Sequence, residues 1–190
     1  MNRRELLSGL AAAALASGCT SQAPSRAQTS PARYGTPVPL PSPTATGTIS
    51  LEKAIGERRS LRAFRPDYAV TPEQVMHYLP NGHRAQSRAV SDLRPKLKAA
   101  AVGQSSVGTA PVVIVVAAVP GRLSHRYGAK AEPFVQIEVG HAAQNILLQA
   151  AALGLAAVPV GSLDSARAAD ALALPPDQTV LYLIPVGRLP

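Results

Sequence analysis

The chain is short of cysteine, aromatic residues and acidic residues. Its 190 residues include one cysteine and no tryptophan, and only 4% are aromatic. A single cysteine excludes an intrachain disulfide and any metal cluster built on several thiolates. Eleven Asp and Glu stand against 19 Lys and Arg, which leaves a formal charge of +8. This basic excess favours anionic partners such as phosphate ligands, nucleic acid or an acidic membrane, without choosing among them.

The start of the chain has the layout of an export signal. Residues 1–19 combine two adjacent arginines, a short apolar run and small residues before Cys19. The run is too short to span a bilayer, so we treat residues 1–19 as a signal outside the fold. The arginine pair resembles a twin-arginine signal, and residues 16–19 resemble the lipobox of bacterial lipoproteins. We predict a lipidated Cys19 and an exported protein, membrane-anchored and facing the periplasm or cell exterior. An ordinary cleaved signal is the alternative.

Residues 20–47 are rich in Pro, Ser, Thr and Ala. Such a composition cannot bury enough apolar surface to offset the entropy of ordering, and its spaced prolines favour an extended, semi-rigid chain. We predict a tether over 20–47, followed by one domain over 48–190.

The longest helical pattern covers residues 132–153 and ends at Gly154, where a left-handed C-cap is expected. Apolar residues at three- and four-residue steps predict a core-facing side, formed by Phe134, Ile137, Ala142, Ile146, Ala150 and Leu153. Polar residues follow the same spacing on another side, namely Glu138, His141, Asn145 and Gln149. The pattern predicts the central helix of the domain.

Three apolar runs predict strands buried on both faces; they cover 111–119, 155–160 and 179–186. The Asn81-Gly82 pair predicts a hairpin between 75–79 and 83–90, preceded by a truncated helical turn from Thr71. Helix starts are predicted at Ser50, Asp92 and Asp164. Buried strands with several helices predict a layered α/β or α+β domain.

An arginine cluster follows the first predicted helix, over residues 58–62 (RRSLR). Arginine binds phosphate through two parallel hydrogen bonds, so the cluster is a candidate phosphate site. Alternatively, these arginines complement the dipole at the end of the helix, and composition alone favours that interpretation. Further basic residues over 84–98 lack interleaved aromatics, which favours a solvated face over nucleic-acid binding. The four histidines include no pair at i, i+4, so no metal site is predicted.

Four stretches in collinear order resemble the nitroreductase-like flavoprotein superfamily, in particular its SagB-type dehydrogenase branch. They cover residues 50–64, 97–119, 139–164 and 181–190, and residues 77–94 resemble that branch's HYxPxGH segment. The resemblance implies an α+β fold in which helices flank a mostly antiparallel central sheet. It also implies a homodimer that holds FMN at the subunit interface and transfers hydride to or from a small-molecule substrate.

The resemblance assigns site residues by position. The segment that binds the flavin's phosphate and ribityl chain matches Arg58, Arg59, Ser60 and Arg62. The loop that passes the flavin ring matches Pro159, Val160, Gly161 and Ser162, with Ser162 where the family usually has glycine. The C-terminal Gly-Arg pair, whose Arg helps hold the phosphate, matches Gly187 and Arg188.

Two departures from the family pattern bear on activity. Azoline-oxidising members have a Lys-Tyr pair that assists proton removal, and the corresponding residues of this chain are Arg126 and Tyr127. Arginine stays protonated and cannot serve as a base, although Tyr127 could donate a proton. After Gln74 the chain also lacks a helix, a flavin-contacting loop and a buried strand, which predicts a truncated fold with an internal deletion.

Two functions therefore stay open. The first is an FMN-dependent oxidoreductase, exported and lipid-anchored. The alternative is a non-catalytic, degenerate member of the same fold that acts as a binding or structural module. A nucleic-acid-binding module has only the net charge in its favour, and we do not predict one.

Overall fold

A computed structural model describes residues 32–42, 47, 49–65, 74–79 and 81–190. These residues form two antiparallel sheets with helices packed against the larger one. The predicted α+β fold is confirmed. Cys19 and the helical turn predicted at Thr71 lie outside the described residues.

The smaller sheet is built on the predicted hairpin. Its strands are β1 (Val38–Pro39), β2 (Gln74–Leu79) and β3 (Arg84–Ala89), in the order β1-β3-β2. The turn between β2 and β3 places Gly82 at φ 78° and His83 at φ 46°. A left-handed backbone at the glycine is what the Asn-Gly pair predicts. The hairpin is confirmed.

Part of the segment predicted as a tether packs on this sheet. The Gly35 N–H donates to the Ser87 carbonyl at 2.9 Å, and the Leu40 N–H donates to the His83 carbonyl at 2.9 Å. The His83 imidazole also lies within hydrogen-bonding distance of the Pro41 carbonyl, at 2.9 Å. Residues 32–42 are extended, as their prolines predict, but they are bound to the domain.

The larger sheet consists of β4 (Val112–Ala118), β5 (Ala156–Ala157) and β6 (Thr179–Gly187), in the order β4-β6-β5. Strand β6 pairs antiparallel with both neighbours. The prediction that the run 111–119 is buried on both faces is wrong, because Val112 and Ile114 are 39% and 37% exposed. Among the described strands, β4 pairs with β6 alone. Of the run 155–160, only the two residues of β5 form a strand, and Val160 makes a separate bridge to Leu183.

Six α-helices and one short 3-10 helix are described. They are α1 (Leu51–Glu57), α2 (Arg94–Ala100), α3 (Ser105–Thr109), α4 (Gly121–Tyr127), the 3-10 turn Gly128–Lys130, α5 (Ala131–Ala152) and α6 (Ser165–Ala171). The Ser50 hydroxyl accepts from the Lys53 N–H and the Asp164 carboxylate from the Arg167 N–H, so both predicted N-caps are confirmed. Asp92 accepts from the Arg94 N–H, but Leu93 occupies the cap position. No described helix is long and apolar enough to cross a membrane.

Helices cover both faces of the larger sheet. Leu183 of β6 packs among residues of α2, α3 and α6, whereas the next residue, Ile184, packs against α5. Successive side chains of a strand point to opposite faces, so α5 lies on one side of the sheet and α2, α3 and α6 lie on the other. Both Leu183 and Ile184 are fully buried.

The side of α5 that faces the sheet differs from the prediction. The buried residues follow four-residue steps and end on a three-residue step; they are Ala131, Val135, Val139, Ala143, Leu147 and Ala150. Phe134, Ile137 and Leu153, which the pattern places in the core, are 38%, 55% and 60% exposed. For Ala150, which is buried, and Ile146, which packs against the same cluster, the prediction is confirmed. Periodicity cannot separate the two sides, because α5 carries apolar residues on both. The predicted C-cap is confirmed, with Gly154 at φ 65°.

Candidate functional site

The arginine cluster follows α1 and runs along the larger sheet. Ser60 forms a parallel bridge with Ala157 of β5, and the Leu61 N–H donates to the Ala157 carbonyl at 3.2 Å. Further on, the Arg65 N–H donates to the Arg188 carbonyl at 2.9 Å. The structure therefore brings the RRSLR segment together with the C-terminal Gly-Arg pair, two elements that are far apart in sequence.

Gly187 makes this junction possible through its lack of a side chain. It pairs with Ala156 at the end of β6. A Cβ atom here would lie 2.8 Å from Phe64 Cδ1 and 2.8 Å from Pro111 Cδ, closer than side-chain carbons approach one another. Gly187 thus lets Phe64 pack over the sheet, which holds the chain after the arginine cluster in place.

A cleft of about 180 Å³ opens beside the arginine cluster, between α1, the end of α5 and β5. Its lining is apolar apart from three charged residues, and consists of Glu57, Arg58, Arg59, Leu61, Leu147, Ala151, Gly154, Leu155, Ala157 and Leu189. Arg58 is half-buried. An arginine at the edge of an apolar cleft is suited to bind an anionic ligand, because the low local dielectric constant strengthens the attraction between the two charges.

The arginines of the cluster differ in how their donors are used. Arg59 donates from Nη1 to the carbonyls of Gly56 and Arg58, each at 2.8 Å, so it caps the end of α1 as the dipole interpretation predicts. Arg62 makes a long contact from Nη1 to the Ser60 carbonyl at 3.4 Å. Within the described ranges the Arg58 guanidinium has no hydrogen bond or ion pair, which leaves its donors available for a ligand.

The loop 159–162 is supported from another part of the sheet. Val160 is 2% exposed, and its backbone N–H and carbonyl both bond to Leu183, at 2.8 and 3.1 Å. A Cβ atom on Gly161 would lie 2.9 Å from Tyr182 Cε1. Pro159 is half-buried and Ser162 is exposed. Val160 and Gly161 thus have packing roles, and the assignment of this loop to a flavin stays a prediction.

Tyr127 lies at the other end of α5 from the cleft. Its ring packs edge-on against Phe134 with centroids 5.0 Å apart, and the Arg126 guanidinium lies 5.4 Å from its centroid. Phe134 and Ala151 are 17 positions apart on α5, which corresponds to about 26 Å of helix. Within one subunit Tyr127 is therefore remote from Arg58.

Among the described residues, two carboxyl groups have displaced pKa values, and neither lines the cleft. A hydrogen bond from its own backbone N–H, helped by the Ser50 hydroxyl, lowers the pKa of Glu52 at the start of α1. Hydrogen bonds from Arg94 lower the pKa of Asp92. In the described part of the chain no group of three or more His, Cys, Asp or Glu residues could hold a metal ion.

Sequence reasoning missed most of the cleft lining. The cleft residues Leu61, Leu147, Ala151, Leu155 and Leu189 come from four separate segments. All lie inside stretches that resemble the family, but the resemblance assigns none of them to the site. Only Leu147 and Ala151 carry a usable signal, since they continue the four-residue step of the α5 residues that face the sheet.

Comparison with known proteins identifies the family. The model described as the Nitroreductase family matches residues 80–188. A candidate nitroreductase of Methanocaldococcus jannaschii is 32% identical over 146 residues, which are 77% of this chain and 69% of that protein. The chain belongs to the nitroreductase family. The resemblance noted in the sequence is thereby confirmed at the level of the family.

Solved structures share this nitroreductase fold. The crystal structure of a candidate nitroreductase from Ralstonia eutropha superposes with a TM-score of 0.67 at 24% identity, covering 81% of this chain and 90% of that one. An NADPH:FMN oxidoreductase from Vibrio harveyi, complexed with NAD+, gives a TM-score of 0.55 at 20% identity, covering 73% of this chain and 68% of that one. At these identities the likeness concerns the fold.

Proposed function

We propose that this nitroreductase-family protein is an FMN-dependent oxidoreductase acting on a small molecule as a homodimer. One observation carries the proposal. Arg58, in the segment that corresponds to the family's phosphate-binding motif, is half-buried at an apolar cleft with its guanidinium free of described partners.

The cleft suits the phosphate end of FMN. A guanidinium forms two parallel hydrogen bonds with a phosphate, and Leu61, Leu147 and Leu155 keep water from the opposite side. Its volume of about 180 Å³ is, however, smaller than the ~300–1,000 Å³ of typical ligand pockets. One subunit can therefore hold the phosphate and part of the ribityl chain, and the ring needs a second wall.

A second copy of the chain is the candidate for that wall. α1 packs on α5 beside the cleft, and these helices expose Leu51, Ile55, Phe134 and Ile137 at 60%, 54%, 38% and 55%. Apolar surface of this kind is typical of a subunit interface. Two-fold pairing of antiparallel α5 helices would set the Tyr127 end of one subunit beside the Arg58 end of the other.

Bound FMN would supply hydride transfer at its ring. The chain's own residues would then have separate tasks. Arg58 binds the phosphate, the leucines exclude water, and the Tyr127 hydroxyl of the partner subunit donates a proton to substrate. An arginine side chain has no lone pair that can accept a proton at ordinary pH, so we do not assign a base to position 126.

The finer assignments rest on sequence. We propose membership of the SagB-type branch on the basis of the collinear stretches, and an internal deletion is supported by the edge of β4 that no described strand pairs with. Export and lipidation of Cys19 rest on the leader alone. Outside the cytoplasm NAD(P)H is scarce, so we propose that another electron donor reduces the flavin.

The degenerate, non-catalytic alternative is favoured by one observation, the small size of the cleft. It predicts a folded protein that binds no flavin.

Titration of the full chain with FMN, followed by quenching of flavin fluorescence, tests the role of Arg58. Removal of one charged hydrogen-bonding group costs about 1.5–3 kcal/mol, so Arg58→Ala should weaken FMN binding roughly 10- to 150-fold. Arg167→Ala removes an exposed arginine of α6, on the other face of the sheet, as the matched control and should bind like wild type. Equal affinities for the Arg58→Ala variant and wild type would refute the assignment.

A further inference from the structure

The outer edge of β4 is unpaired in the described structure. β4 pairs with β6 along one edge, from Val112 opposite Val186 to Ala118 opposite Thr179. Over residues 32–42, 47, 49–65, 74–79 and 81–190, no strand and no backbone hydrogen bond meets the other edge. Seven residues of an open edge present alternate N–H and carbonyl groups to a further strand.

A bulge near its C-terminal end is the one usual protection against pairing that this edge carries. Natural edge strands are blunted by charges, by proline, by short length or by bulges. The seven residues VVIVVAA contain no ionisable group and no proline. A bulge between Val116 and Ala117 shortens the regular part to 112–116.

The same part of β4 leaves apolar side chains uncovered. Val112 and Ile114 are 39% and 37% exposed, although Ile184, directly opposite Ile114, is fully buried. They share a face with Val116, which packs against the α5 cluster. The uncovered side chains therefore lie beside a packed layer that a further strand would extend.

We propose that this edge binds β4 of a second copy of the chain, antiparallel about a two-fold axis at Ile114. Residues 112–116 read VVIVV, the same in both directions. Antiparallel pairing thus places Val112 opposite the partner's Val116, Val113 opposite the partner's Val115, and Ile114 opposite its own copy. β-Branched side chains facing one another stabilise a sheet.

The charge of the chain also favours this edge as the place where two copies meet. Two chains of net charge +8 repel at a distance, and they can meet most readily where neither carries a charge. The pairing is isologous and closes on itself, giving a continuous six-stranded sheet. It uses a different surface from the α1 and α5 contact proposed for the flavin site, so its test does not depend on flavin binding.

Sedimentation velocity of the full chain, with Cys19→Ser in every sample to prevent lipidation, measures this association. Ile114→Lys puts a charge on the two-fold axis and should halve the mass of the largest species. Met76→Lys makes the same kind of change at a 59%-exposed residue of β2 and should leave the mass unchanged. Equal masses for the Ile114→Lys variant and wild type at all concentrations would overturn the proposal.

Hydrogen exchange of the amides over 112–116 distinguishes the remaining outcomes. The proposal predicts exchange that slows as wild type is concentrated and that stays fast in Ile114→Lys. Slow exchange in dilute samples of both would show that another part of the chain covers the edge. Aggregates without a defined mass would contradict a closed two-fold pairing.

Discussion

Replacing Gly187 with alanine should destabilise the protein whether or not it binds a cofactor. The added Cβ would meet Phe64 Cδ1 and Pro111 Cδ, each at 2.8 Å. An aromatic ring packed on a sheet and a proline ring have little freedom to move away. Overpacking of this kind costs about 1–3 kcal/mol, and two rigid neighbours place Gly187→Ala near the upper end.

Gly140→Ala is the matched control, since the chemical change is the same. Gly140 lies inside α5, and a Cβ there would meet nothing within 4 Å. Alanine in a helix interior is favoured over glycine by about 1 kcal/mol, so this variant should be at least as stable as wild type.

Thermal unfolding by circular dichroism, without added flavin, measures both effects. A loss of ~2–3 kcal/mol lowers the melting temperature of a domain of this size by roughly 4–12 °C. Gly187→Ala should melt lower by that amount and Gly140→Ala should not. A Gly187→Ala variant with wild-type stability in the absence of flavin would refute the packing argument and leave a cofactor role as the reason for glycine.

Three other variants test separate parts of the structure. Asp164→Ala removes the N-cap of α6 and should lower the free energy of unfolding in urea by about 1 kcal/mol, whereas Asp164→Asn should keep most of the stability of wild type. Equal losses of stability in the two variants would argue against the cap. Hydrogen bonds from Arg94 hold the pKa of Asp92 below its ordinary value, so the carboxylate stabilises the fold above about pH 4 and this contribution is lost as pH falls through the lowered pKa. Asp92→Asn should therefore be less stable than wild type at pH 7, and this difference in stability should shrink below about pH 4. A difference in melting temperature that does not change with pH would contradict this. Ile137→Glu should reduce both the mass of the assembly and FMN binding, while Ala166→Glu, on the other face of the sheet, should change neither. Loss of flavin binding without any fall in mass would contradict an interfacial site.

Local sequence patterns predicted most of the elements because each depends on nearby residues. Asn81-Gly82 specified the hairpin turn, Ser50 and Asp164 specified helix starts, and Gly154 specified a helix end. The orientation of α5 could not be predicted in this way. Its apolar residues lie on two sides, and the side that faces the sheet is decided by packing with β6.

Burial of β4 also depends on tertiary context. A continuous apolar run predicts a strand buried on both faces, but Val112 and Ile114 of β4 are 39% and 37% exposed, beside an edge that no described strand pairs with. The docking of residues 32–42 on β3 has a similar origin. Their prolines predict extended chain, and only the hairpin edge shows where that chain binds.

The sequence predicted which residues belong to the candidate site but not how they are arranged. The motif resemblance selected Arg58 and Gly187, and the structure brings their segments together. It could not show that the Arg59 guanidinium caps α1, nor that Tyr127 lies at the far end of α5. These differences arise from hydrogen bonds and distances that residue spacing does not encode.

The most direct test of the account is the visible absorption spectrum of the purified full chain, before and after addition of FMN and removal of unbound flavin. The account predicts a flavin spectrum that stays with the protein at one FMN per subunit. A protein that is folded by circular dichroism but remains colourless after incubation with FMN would contradict it, and would leave a nitroreductase fold without flavin chemistry.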